Sequence, residues 1–141
     1  MNEEISHLFP RRFVYAGALI ACSIVSSLPR PMKLSTIVWE YLTRENVSIE
    51  NIYEVDRNFQ ELIESAESLQ KQILNDFDSV TNQQFDQVFP HNFVIQDSFD
   101  NTIELIHSGS KTRVTKNNLH EFIELAKKVR CDEFKDELKD L

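Results

Sequence analysis

The sequence predicts an α+β fold that is mainly helical and contains one small β-hairpin. Apolar residues recur at helical spacing near both ends and in the middle of the chain, while two β-prone runs lie close together toward its C-terminal end. Of the 141 residues, 41% are hydrophobic, which is enough for a core, and only two are glycine. The chain therefore has the size and composition of one folded domain rather than of a disordered segment.

The first predicted helix covers residues 11–27, where apolar side chains occupy nearly every side. A helix of this kind is normally buried, so we expect residues 11–25 to be buried, with Cys22 in the interior and the last helix packed nearby. The apolar run 13–25 is shorter than the ~20 residues of a membrane span, and the acidic start of the chain does not suit a signal peptide. Pro29 and Pro31 are expected to end the helix and to form a rigid connector.

Three further helices are predicted between residues 35 and 77. Ser35 is a suitable N-cap for a helix to about Glu45, Ser48 begins a short segment to about Val55, and Asp56 caps a longer helix. The apolar residues of this longer helix recur every three or four positions and comprise Phe59, Leu62, Ile63, Ala66, Leu69, Ile73 and Phe77. Charged residues fall on its other faces, so the pattern predicts an amphipathic helix.

The C-terminal half is predicted to contain a loop, a hairpin and a terminal helix. Residues 78–92 are mostly polar and predict a loop with one short element, and residues 93–95 and 102–106 predict the two hairpin strands. Thr115 is placed to cap the last helix, and Lys127, Lys128 and Arg130 are expected on its outside. The apolar seam of that helix comprises Leu119, Phe122, Ile123, Ala126, Val129, Phe134 and Leu138.

Charge and residue patterns exclude several classes of function. The net charge of −8 opposes binding to a phosphate backbone, which argues against nucleic acid as a partner. Cys22 and Cys131 are far apart and have no zinc-site spacing, which fits a reducing, cytoplasmic or otherwise intracellular setting without a bound metal. The glycine-rich motifs that bind nucleotide phosphates are absent, and we predict no cofactor.

Both cysteines are predicted to be inert rather than catalytic. Burial inside an apolar helix disfavours the thiolate of Cys22, and Asp132 and Glu133 next to Cys131 raise the pKa of its thiol. The histidines share no ligand spacing of four residues and are expected to be solvated; they are His7, His91, His107 and His120. No catalytic residue is therefore predicted.

Two blocks of sequence carry the most distinctive patterns. Residues 13–24 read FVYAGALIACSI and are followed by LPRPMKLSTIVWEYL at residues 28–42, while residues 104–123 read ELIHSGSKTRVTKNNLHEFI. In this order and spacing, the blocks resemble the N-terminal lobe of HECT-type ubiquitin ligases. The closest subgroup is the one found at the C-terminus of large propeller-repeat proteins.

The matches to the family's patterns fall on helix-packing residues, caps and turns. The first block is similar to the family's F-x-F-x-G-x-x-x-G-x-A-I helix and V-W-K-x-L helix end; the matching residues are Gly17, Ile24, Val38, Trp39 and Leu42. The second is similar to E-L-x-P-G-G-x-x-x-x-V-T-x-x-N-x-x-E-Y-I, and Arg130 matches the arginine that closes this pattern. His107 and Ser108 stand where the family has proline and glycine. The resemblance covers residues 11–134 and predicts a partial HECT N-lobe.

The resemblance implies a part of a ubiquitin-protein transferase. Family members accept ubiquitin on a cysteine in a C-terminal lobe, which nothing in this sequence matches, so the chain is expected to be catalytically incomplete alone. The implied division is large-subdomain helices at residues 11–55, the start of the docking region for the ubiquitin-conjugating enzyme at 56–100, and a hairpin strand and terminal helix at 101–141. The implied partners are the remainder of a HECT ligase and, weakly, a ubiquitin-conjugating enzyme.

Four residues in the docking region are candidate contacts with the conjugating enzyme: Ile63, Leu69, Phe85 and Phe89. Each is also suited to core packing, because buried apolar residues outnumber interface anchors. The alternative function is a non-catalytic helical protein-interaction module unrelated to ubiquitin, which would share only packing patterns with the family.

Overall fold

The computed structural model describes residues 9–27, 33, 35–44, 47–77, 80–97 and 99–139. The predicted end of the second helix at Glu45, the connector at Pro29 and Pro31, and His7 lie outside these residues. The described elements are α1 (Phe9–Val25), α2 (Thr36–Arg44), α3 (Ile49–Val55), α4 (Arg57–Asn75), α5 (Asn82–Val88), β1 (Val94–Gln96), β2 (Thr102–Glu104), a 3₁₀ helix (Gly109–Lys111) and α6 (Leu119–Leu138). The predicted α+β class, mainly helical with one hairpin, is confirmed.

The predicted starts of α3 and α4 are confirmed by their capping hydrogen bonds. Asn51 Oδ1 accepts from the backbone N–H of Ser48 at 3.0 Å and from its hydroxyl at 2.8 Å. Asp56 Oδ1 accepts from the backbone N–H of Phe59 at 3.0 Å, which satisfies one of the free donors in the first turn of α4. A cap of this kind contributes about 1 kcal/mol to helix stability, and Asp56 is the single residue that separates α3 from α4.

One hydrophobic core joins the helices to the hairpin. The apolar seams predicted for α4 and α6 pack against each other, with Ile63, Ala66 and Phe122 fully buried, and α3 packs against both helices. Phe93 and Ile95 from the hairpin extend the same core. Because this core includes residues from all three predicted segments of the chain, the described elements support each other; the division of the chain itself stays a prediction.

The hairpin is antiparallel, as predicted, and its tip is held by one carboxylate. Ile95 lies opposite Ile103 in the register of β1 and β2. Asp97 Oδ1 accepts from the backbone N–H groups of Phe99 and Asn101, each at 2.8 Å. The turn chemistry of an aspartate at this position therefore fixes the tip.

The predicted cap of α6 is wrong. The helix begins at Leu119 with Asn118 as its N-cap residue, and residues 116–118 form a turn. Asn118 Oδ1 accepts from the backbone N–H of Thr115 at 2.6 Å, so the amide folds back along the chain. The local hydrogen bonds of Asn118 therefore delay the start of the helix beyond Thr115.

The predicted burial of α1 is also wrong. The helix itself forms, but among its described side chains only Ile20 is buried, while Cys22 is exposed. The side chains of Val14, Tyr15, Ile24 and Val25 are each more than half exposed. The helix packs against α6 on one side, and a helix that is apolar all round needs cover on every side to be buried.

Arg130 lies inside the protein rather than on the outside of α6. Its side chain is 3% exposed, and its guanidinium donates to the carboxylates of Asp56 and Glu133. The position of Arg130 therefore depends on Asp56, which is 74 residues away in sequence and lies between α3 and α4. Lys128 is exposed as predicted, whereas Lys127 is partly buried and binds Glu67 at 2.6 Å.

Within the part of the chain that the structure describes, every helix is too short or too polar to cross a membrane.

Candidate functional site

The structure places all four predicted contact residues in the hydrophobic core. Ile63 and Leu69 lie on α4, Phe85 lies on α5, and Phe89 follows α5 directly. Their exposed fractions are 0%, 8%, 1% and 2%, respectively. Their burial agrees with core packing, the alternative given above for each residue, and their role as contacts with a conjugating enzyme stays a prediction.

Phe85 and Phe89 belong to an aromatic cluster that fixes α5 on α6. The ring centroid of Phe89 lies 6.2 Å from that of Phe85 and 5.7 Å from that of Phe122. The ring centroid of Phe122 lies 5.8 Å from that of Phe93. Both contacts of Phe122 are edge-to-face, an arrangement that aromatic rings favour. The ring centroid of His91 lies 4.4 Å from that of Phe89, with the two rings tilted by 51°. Partial burial lowers the pKa of His91.

The same region exposes three other large apolar side chains, which the sequence pattern did not single out as contacts. Leu74 is 77% exposed at the end of α4, Phe77 is 52% exposed just after it, and Val88 is 63% exposed at the end of α5. Leu74 does not fit the three- and four-residue spacing of the buried seam, and this departure could have indicated from the sequence that it is exposed. Phe77 fits that spacing, but α4 ends at Asn75, so its ring leaves the seam.

Lys116 contacts the connector between α4 and α5 at three points. Its Nζ donates to the carbonyl oxygens of Phe77, at 3.1 Å, and Val80, at 2.5 Å. The same Nζ lies 4.2 Å from the centroid of the Phe77 ring, within range of a cation–π contact. Lys116 therefore joins the turn before α6 to the connector.

A second set of contacts positions α5. Thr81 and Gln84 form a capping box, in which the Thr81 hydroxyl accepts from the backbone N–H of Gln84 at 3.2 Å and the Gln84 side chain accepts from that of Thr81 at 2.9 Å. Arg113 Nε lies 3.4 Å from Asp86 Oδ1. These contacts hold a short helix that on its own would be too short to be stable.

A cavity of about 350 Å³ lies between α2, α6 and the hairpin tip. Apolar residues, including Ile37 and Phe134, form part of its wall, together with Asp56, Asp97 and Arg130. These polar groups are engaged within the protein, because Asp56 accepts from Arg130 and Asp97 accepts from the tip of the hairpin. The cavity thus has the character of a gap between structural ion pairs.

The thiols and histidines do not form a catalytic arrangement within the described residues. Burial raises the pKa of the half-buried Cys131, and the Asp132 carboxylate adds to the increase while Lys135 opposes it. This direction agrees with the sequence-based prediction. His120 bonds Gln70 through Nδ1 at 2.9 Å, and the described His, Cys, Asp and Glu residues form no group suited to a metal ion.

The described residues thus form a mainly helical domain that exposes apolar side chains at α1 and around the connector after α4. The family model for the HECT domain, described as "HECT-domain (ubiquitin-transferase)", matches residues 1–141. The chain belongs to the HECT domain family. No solved structure matches the chain. The predicted family is confirmed, and the subgroup stays a prediction.

Proposed function

We propose that the chain is part of a HECT-type ubiquitin-protein ligase of an intracellular compartment, in which it supplies N-lobe scaffold and part of the docking surface for a ubiquitin-conjugating enzyme. The family match over residues 1–141 carries this proposal. Ubiquitin transfer would use a cysteine lobe from the remainder of the ligase, since neither thiol here has an activating arrangement. The alternative of a module unrelated to ubiquitin has no comparable support.

The exposed apolar face of α1 is the observation that supports the proposal of one partner, the remainder of a HECT ligase. Tyr15, Ile24 and Val25 are large apolar side chains that are 67%, 73% and 85% exposed. Full burial of one such side chain is worth about 1.5–3 kcal/mol, so an assembled lobe would gain stability by covering this face. The sequence of α1, apolar on nearly every side, is that of a helix buried in such an assembly.

Exposed apolar side chains within residues 63–89 are the observation that supports a conjugating enzyme as the second partner. We assign a supporting role to the four predicted residues Ile63, Leu69, Phe85 and Phe89, which are buried beneath this region. The contacts themselves are assigned to Leu74, Phe77 and Val88, which the region exposes. A few such anchors commonly dominate the free energy of an interface.

A titration of the chain against a panel of ubiquitin-conjugating enzymes tests the docking role. We expect Phe77→Ala to weaken binding by about 1–3 kcal/mol, the usual cost of removing an anchor. Phe99→Ala is the matched control, because Phe99 is also a half-exposed phenylalanine but lies at the hairpin tip. Absence of binding by the unsubstituted chain near ~1 mM, the weak limit of measurable affinity, would remove docking from the proposal.

A further inference from the structure

The connector between α4 and α5 is held by a residue distant in sequence. Lys116 is 39 residues from Phe77 and 36 from Val80, yet its ammonium group donates to both of their carbonyl oxygens. It also lies 4.2 Å from the centroid of the Phe77 ring. One side chain thus contacts the backbone at two points within the connector and also the aromatic ring that the connector exposes.

A cation just beyond the C-terminal end of α4 is electrostatically favourable. The last carbonyl groups of a helix lack intrahelical partners and carry a partial negative charge, which a nearby cation stabilises. The last turn of α4 contains no basic residue of its own. Lys116 donates to the carbonyl oxygens of Phe77 and Val80, which lie just beyond the last residue of α4, Asn75, so it places its positive charge next to the chain that leaves the helix.

The base of this contact is rigid. Leu119, three residues after Lys116, is 1% exposed in the core, and Asn118 bonds the backbone N–H of Thr115 in the same turn. A charged donor fixed to such a turn holds two carbonyl groups more strongly than a neutral donor does. The position of the connector is consequently tied to the core rather than to local chain preferences.

We propose that Lys116 is a positioning residue, which fixes the backbone at Phe77 and Val80 and thereby orients the exposed Phe77 ring for contact with the conjugating enzyme. The inference rests on the proposed docking function for its partner, but the hold on the connector is a property of this chain alone. Lys116 does not itself have to touch the partner.

Hydrogen exchange tests the hold on the connector. In Lys116→Met, which keeps the length of the side chain and removes its charge, we expect the amides of Asp76 and Thr81, which donate hydrogen bonds at the two ends of the connector, to exchange about tenfold faster, equivalent to about 1.4 kcal/mol of local stability. Amides in the buried part of α6 are expected to keep their rates. Lys116→Arg retains a cationic donor and should restore most of the protection.

Lys128→Met is the matched control, because it removes the same charge from an exposed position on α6. Unchanged exchange at Asp76 and Thr81 in Lys116→Met, or equal acceleration in Lys128→Met, would overturn the inference. This result does not depend on whether any partner binds.

Binding then tests the orienting role separately. We expect Lys116→Met to weaken binding of the conjugating enzyme about fivefold or more, and Lys116→Arg to bind nearly as well as the unsubstituted chain. Faster exchange without weaker binding would overturn the positioning role. Failure of the unsubstituted chain to bind would instead overturn the proposed docking function.

Discussion

Two neighbouring residues, Ser108 and Gly109, determine the turn that follows β2. A Cβ atom added to Gly109 would lie 2.3 Å from the carbonyl oxygen of Phe93, so only glycine fits there. Ser108 adopts a left-handed conformation with φ 59° and ψ 32°, at a position where the family has glycine. A serine in this conformation carries some backbone strain that glycine would not.

We expect Ser108→Gly to stabilise the chain by about 0.5–1 kcal/mol. Relief of the left-handed strain, worth about 1–2 kcal/mol, exceeds the greater entropy that glycine gives the unfolded chain, about 0.5–1 kcal/mol. Chemical denaturation measures the change, with Gly109→Ala as a contrasting variant that should destabilise through its contact with Phe93. A loss of stability in Ser108→Gly would show that the serine side chain makes a stabilising contact.

At the scale of elements, the sequence predicted those features that depend on neighbours in the chain. The helix starts at Ser48 and Asp56 and the apolar seams of α4 and α6 follow from local spacing, and the structure has them, whereas the packing of one seam against the other was not predicted. The burial of Arg130 depends on Asp56, a partner 74 residues away, which helical periodicity does not reveal. The burial of the four docking candidates likewise depends on tertiary packing, whereas the sequence reveals only that these residues are apolar.

Helix α1 provides a prediction for one element. We expect Ile20→Ala to cost about 2 kcal/mol, because Ile20 is buried, whereas Ile24→Ser should change the stability of the chain by less than about 0.5 kcal/mol. In the proposed assembly with the remainder of a HECT ligase, Ile24→Ser should weaken association instead. Equal destabilisation of the isolated chain by both variants would mean that the outer face of α1 is already covered.

At the scale of the whole molecule, the described residues form one hydrophobic core and expose apolar side chains in two places. Its core fixes the caps, the hairpin and the aromatic cluster around Phe122, while the exposed apolar residues lie at α1 and near the connector. The chain belongs to the HECT family, whose described activity is ubiquitin transfer. The chemical question is therefore whether either thiol of this chain can take part in transfer.

We expect the chain to form no thioester with ubiquitin when it is supplied with activating and conjugating enzymes. The thiolate is the nucleophile in such a transfer, and burial together with the Asp132 carboxylate raises the pKa of Cys131 and so disfavours that thiolate. Cys22 is exposed, but residues 13–25 around it contain no charged side chain that would activate its thiol.

Non-reducing gel electrophoresis measures this outcome, with a HECT ligase that includes its cysteine lobe as the positive control. An adduct that is removed by reductant and lost in Cys131→Ala would show that the raised pKa does not prevent attack by this thiol. Loss in Cys22→Ala instead would identify the exposed thiol of α1 as the acceptor. Absence of an adduct in a chain that still binds the conjugating enzyme would agree with a docking scaffold that depends on another lobe for its chemistry.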